Sequence, residues 1–183
     1  MALTATMHQV KLVVNDVDRG VYDTFELRVA RHPSETLRYM LTRTLAYALS
    51  WEEGLTFSKA GIADTDDPAL SVIDLTGVRR VWIEVGQPAA DRLHKASKAT
   101  ERVAIFTWVE LAALRKEAAT RPIHRVDTIE VWRLEPALLA ALEAVVDRKF
   151  ELEVLRNGEQ LYVTSGNRSF EGTLERAGLT ERS

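Results

Sequence analysis

The chain holds 183 residues, 46% of them hydrophobic and 28% charged, with a formal net charge of -3 and a pI near 5.9. That balance suits a globular domain with a sizeable core and excludes a global positive field that would draw in nucleic acid non-specifically. The absence of cysteine excludes disulfides and thiolate metal centres, and no apolar run approaches the roughly 18 residues of a membrane span.

The opening MALTATMHQVKLVV lacks the basic and apolar regions of a signal peptide. The expectation is a soluble cytoplasmic protein, one domain over 1–183, with no membrane contact. Met7–Val14 reads as a strand, and after the turn-rich Asn15–Gly20 its antiparallel partner follows at Val21–Ala30, where Val21, Phe25, Leu27 and Val29 share a parity. His32-Pro33-Ser34-Glu35 opens a helix with Ser34 as the expected N-cap. Leu37, Met40, Leu41, Thr44, Leu45, Ala48 and Leu49 predict one buried face. Glu35 lies off that stripe and reads as a solvated first-turn acid, suited to the helix dipole.

A short strand, Leu55–Lys59, and a loop, Gly61–Asp67, lead to strands at Ala69–Ile73 and Arg79–Val85. They flank Asp74-Leu75-Thr76-Gly77, a type I turn with an expected glycine bulge. Pro88 precedes a helix with Leu93, Ala96 and Thr100 inward. The apolar run Val103–Trp108 predicts a strand covered on both faces. Helix Glu110–Ala119, strand Thr128–Leu134 and a helix from Pro136 to Val146 come next. A hairpin of Phe150–Leu155 and Gln160–Thr164 about Asn157-Gly158 follows, with a last strand at Phe170–Leu174.

Taking Asp74 and Gly77 as the flanking pair puts Asp67 opposite Glu84, and a one-residue bulge puts Pro68 there instead. Opposed acids about 5 Å apart repel unless a cation intervenes, and oxygen ligands select Mg²⁺, Mn²⁺ or Ca²⁺. Asp74, at the far end of the hairpin, has the plainer task of accepting hydrogen bonds in its turn. Trp82, Glu84 and Gly86 share one face of their strand, and Arg92 and Lys95 are neighbours on the next helix. Asp64, Asp66 and Asp67 do not make an EF-hand, because Pro68 and Leu75 occupy ligand positions. The four histidines lack metal-ligand spacing, and no phosphate-binding glycine loop appears. The tryptophans read as core or interface residues.

The order helix, three strands, helix, strand from Ser34 to Trp108 resembles the core of the PD-(D/E)XK nuclease superfamily. HPSE at His32–Glu35, Asp66-Asp67-Pro68, and WIEVGQP at Trp82–Pro88 resemble the bacterial YaeQ family more closely. The resemblance implies an α/β fold, a compact mixed sheet with a nuclease-like core and further β-hairpins from both termini. It implies that Asp67 and Glu84 hold Mg²⁺ or Mn²⁺ and that Glu35 is an additional acid. Gly86 stands where the superfamily carries lysine, so the basic group is expected from Arg92 or Lys95. Two functions follow as expectations: a Mg²⁺-dependent phosphodiesterase acting on DNA or RNA, or a non-catalytic nucleic-acid-binding or protein-interaction adaptor on a degenerate nuclease scaffold.

Overall fold

A computed structural model describes residues 4–59 and 66–181. Of the acidic loop expected at Gly61–Asp67, residues 61–65 lie outside the described residues. The chain begins with the expected antiparallel pair, β1 (Thr6–Asp16) and β2 (Val21–Arg31), in which Val10 faces Leu27 and Leu12 faces Phe25. Alternate β1 side chains, His8, Val10, Leu12, Val14 and Asp16, are buried, as a strand with one face on a core requires. Then come α1 (Leu37–Ser50), β3 (Leu55–Phe57), β4 (Leu70–Ile73), β5 (Arg79–Val85), α2 (Ala90–Ala99) and β6 (Arg102–Thr107). α3 (Leu111–Ala118), a 3₁₀ turn at Val126–Thr128, β7 (Glu130–Leu134), α4 (Pro136–Glu143), β8 (Lys149–Asn157), β9 (Gln160–Ser165) and β10 (Arg168–Gly178) complete it.

Among the described residues the strands form one ten-stranded mixed sheet in the order β2-β1-β8-β9-β10-β7-β6-β5-β4-β3. β10 is longer than the expected Phe170–Leu174 because it serves both halves of the sheet: its first part pairs with β9 and its second with β7. The sheet curls around α1, which contacts β1, β2, β3, β5, β6 and α4. This corrects the one-sided stripe expected of α1. Every residue from Met40 to Ser50 is buried, polar ones included, because packed elements surround the helix. The Thr42 and Thr44 hydroxyls tolerate this by donating to the carbonyls of Arg38 and Met40 at 2.8 and 2.9 Å.

A second core lies on the opposite face of β5, β6 and β7, where Trp82, Ile105 and Val131 pack with Leu93 and Ala96 of α2 and Leu114 of α3. β6 is therefore buried on both faces, as its apolar run predicts.

Two local expectations change. The α1 N-cap is Thr36, whose Oγ1 accepts from the Tyr39 N–H at 3.1 Å. Ser34 is instead engaged with Nδ1 of His32 at 2.6 Å. The hairpin register also differs. The turn has its glycine bulge, with Gly77 at φ 84°, and Asp74 Oδ1 accepts from the Thr76 and Val78 N–H groups at 2.9 and 3.0 Å, the turn role expected of it. A further irregularity leaves Arg80 out of the pairing, since Val72 faces Val81 but Ile73 faces Arg79. Leu70 consequently faces Ile83, and continuing that register brings Ala69, not Asp67 or Pro68, to the level of Glu84.

Candidate functional site

Glu84 is carried near the end of β5 on the face shared with Trp82, and only 4% of it is exposed. Its Oε1 accepts the indole N–H of Trp82 and, at 2.6 Å, the Nε–H of Arg92. Arg92 reaches down from the first turn of α2, and its Nη2 donates to the main-chain carbonyl of Asp67. One guanidinium thus joins β5, α2 and the segment leading into β4. Asp67 lies three residues before β4, and its Oδ1 pairs with Nη2 of Arg79 at 2.6 Å. The guanidinium carbons of Arg79 and Arg92 lie 5.1 and 5.9 Å from the Trp82 ring centroid, an arrangement that favours cations over an indole. On the exposed rim Lys95 Nζ meets Asp66 Oδ1 at 2.6 Å. That hydrogen bond and charge hold the Asp66 carboxyl below the usual range.

The structure therefore brings Asp67, Glu84 and Arg92 to one place, with Lys95 beside them on Asp66. Glu35 stands apart. It is buried, not solvated, because Arg43 donates Nε and Nη2 to its Oε1 at 3.0 and 2.8 Å and the His32 N–H donates to its Oε2 at 3.1 Å. Tyr39 links the two sets electrostatically. Burial first, and the Glu84 charge second, push its phenol up to about 12.

Sequence reading passed over Arg79, Tyr39 and Arg43. Arg43 left one signal, a charge within an apolar helix about two turns beyond Glu35. Arg79 left none, because its reach depends on how the residues before β4 fold. Gly86 has a conformational reason. Its φ is 85°, a backbone that disfavours a lysine side chain, and a Cβ there would lie 3.6 Å from Trp108 and 3.8 Å from Tyr39. The cation that meets Glu84 comes instead from α2, as Arg92.

A hard divalent cation needs several oxygen lone pairs. Here Glu84 Oε1 faces two N–H donors and Asp67 Oδ1 faces a guanidinium. Among the described residues no three Asp, Glu, His or Cys side chains gather at metal-binding spacing. As arranged, the donors among the described residues do not fit resident Mg²⁺ or Mn²⁺.

Burial is the main influence on the Glu84 carboxyl and raises it above its ordinary 4.5, against the opposing pull of Arg92 and Trp82. A raised folded-state value means the native protein binds the proton more tightly than the unfolded chain. The associated stability is complete below 4.5 and is lost as pH rises through the folded value. Glu84→Gln removes this titration, so the melting temperature of the variant relative to the parent is expected to climb as pH rises above 4.5. A constant difference across that window in paired thermal melts would contradict the assignment.

Comparison with known proteins gives one consistent result. The family model described as YaeQ protein matches residues 1–174. The chain is 31% identical over 175 residues to the uncharacterized protein YaeQ of Escherichia coli (strain K12), covering 95% of this chain and 96% of that protein. The crystal structure of YaeQ protein from Xanthomonas axonopodis pv. citri is similar with a TM-score of 0.86 and 28% identity, covering 96% of this chain and 99% of that one. That of YaeQ protein from Pseudomonas syringae is similar with a TM-score of 0.83 and 32% identity, covering 97% of each chain. No helix among the described residues is long and apolar enough to cross a membrane.

Proposed function

The chain belongs to the YaeQ protein family, and from that premise we propose that it is a non-catalytic nucleic-acid-binding protein built on a degenerate nuclease-type scaffold. The observation that carries the non-catalytic part of this reading is the engagement of Glu84 by Arg92 and Trp82, while the nucleic-acid part follows from the likeness to a nuclease core. A buried carboxylate that accepts two N–H bonds is a structural tie, and Asp67 is similarly occupied by Arg79. The scaffold part of the proposal is supported by the order of α1, β3, β4, β5, α2 and β6, which has the helix, three strands, helix, strand pattern of the PD-(D/E)XK core.

A second reading, a Mg²⁺- or Mn²⁺-dependent phosphodiesterase, is favoured by a different observation. Asp67, Glu84 and the cation of Arg92 converge at one end of the β4–β5 hairpin. For that reading Glu84 and Asp67 are the metal carboxylates, Arg92 or Lys95 is the basic group, and Arg92 has to leave Glu84 before an ion can enter.

Fluorescence anisotropy and gel assays on labelled DNA and RNA, with and without Mg²⁺ or Mn²⁺, separate the two. The expected result is binding that weakens steeply with salt and no strand cleavage with either metal. Metal-dependent cleavage that disappears in Glu84→Gln would replace the binding assignment with the phosphodiesterase. Neither binding nor cleavage of any strand would remove nucleic acid as the partner.

A further inference from the structure

Away from the Glu84 face, the curl of the sheet brings its two edge strands, β2 and β3, around opposite sides of a cavity of about 220 Å³. Arg28, Val29 and Ala30 line it from β2, His32 from the turn that follows, Arg43 from α1, and Phe57, Ser58 and Lys59 from β3 and its exit. The charged groups in this lining are all cationic. Among the described residues that line the cavity none is a carboxylate, and Arg43 is paired with the buried Glu35 behind it. Arg28 and Lys59 take part in none of the ion pairs among the described residues. Ser58 adds a second, independent feature: its buried Oγ has no hydrogen-bond partner among the described residues.

A buried hydroxyl without a partner is costly unless a ligand or water completes it. Guanidinium and ammonium groups without acids, at the mouth of a small cavity, favour an anion with several acceptor oxygens. The volume is smaller than that of ordinary drug-sized pockets and suits a phosphoryl group with little attached to it.

We propose that the cavity between β2 and β3 is a binding site for a phosphate monoester or free phosphate, held by Arg28, Lys59, Ser58 and the pocket face of Arg43. The proposal goes beyond the nucleic-acid reading and does not depend on it, because free phosphate tests the cavity with no nucleic acid present. The same phosphoryl chemistry has two sources, a small solute or the 5′ end of a nucleic acid strand.

Calorimetric titrations with inorganic phosphate, with a 5′-phosphorylated trinucleotide and with its 5′-hydroxyl counterpart distinguish them. They are run on the full chain and on the Arg28→Ala/Lys59→Ala double variant. Both replaced side chains are exposed at the cavity mouth, so the variant is expected to melt with the parent. The expected result is saturable phosphate binding that weakens roughly 10–100-fold in the double variant and more mildly in Ser58→Ala. Binding of the 5′-phosphorylated trinucleotide alone would support the site and assign its source to a strand end. No phosphate-dependent binding in either arm would overturn it, as would an affinity that is the same in parent and double variant.

Discussion

Glu35→Ala is expected to lower stability by about 3–5 kcal/mol, a fall in Tm of roughly 6–20 °C at ~2–4 °C per kcal/mol for a chain of this size. The cost comes from Arg43, not from the acid itself. Arg43 is 2% exposed and directs Nε and Nη2 at Glu35. Without the carboxylate, a guanidinium remains inside the fold with, among the described residues, only the Ala30 carbonyl at 2.9 Å to accept from Nη2. Removing both charges should cost much less: in Glu35→Leu/Arg43→Met the pair is replaced by hydrocarbon, and such replacements are often close to neutral. Thermal and urea melts of the single and double variants decide the matter. A Glu35→Ala protein that melts with the parent would show that the pair holds nothing together. It would also return Glu35 to the list of acids whose role must be found in chemistry.

Trp82→Ala is the other large effect, expected at about 3–5 kcal/mol for a buried tryptophan. The side chain is 2% exposed and packs in the core between β5, β6, β7 and the helices α2 and α3. It also donates its N–H to Glu84, and the guanidinium groups of Arg79 and Arg92 lie over its ring. Trp82→Phe separates these contributions, because it keeps most of the packing and removes the donor together with only the difference in ring volume. Its cost should be nearer ~1.5 kcal/mol, the low end for a hydrogen bond to a charged group, since Arg92 still holds Glu84. Denaturant unfolding of the two variants should therefore place Phe much closer to the parent than Ala. Equal losses in both would mean that the indole N–H, and not the ring's volume, anchors the second core.

The two predictions stand differently to the sequence reading: Trp82 reads as a core residue and is one, whereas Glu35 reads as solvated and is buried. The apolar alternation of β1, the continuous run in β6, the proline that opens α4 and the Asp74–Gly77 turn are local signals. They predict their elements correctly because backbone geometry and periodicity act over a few residues. Glu84 and Trp82 sharing a face follows from the two-residue period of one strand, and their hydrogen bond agrees with it. The family, too, was legible from His32–Glu35, Asp66–Pro68 and Trp82–Pro88, and the family model spans 1–174.

What the amino-acid order determined by itself was the succession of helices and strands, the apolar faces available for burial and the membership of a family. Tertiary structure alone decided which charges met. Arg43 joins Glu35 because the sheet closes around α1 and buries every residue from Met40 to Ser50. Arg92 meets Glu84 because the first turn of α2 lies beside the end of β5, and Asp67 meets Arg79 because the residues before β4 fold within reach of that side chain. Pattern along a chain encodes periodicity, whereas ion pairs depend on distance across the fold, and a single extra residue in a strand is enough to change that distance.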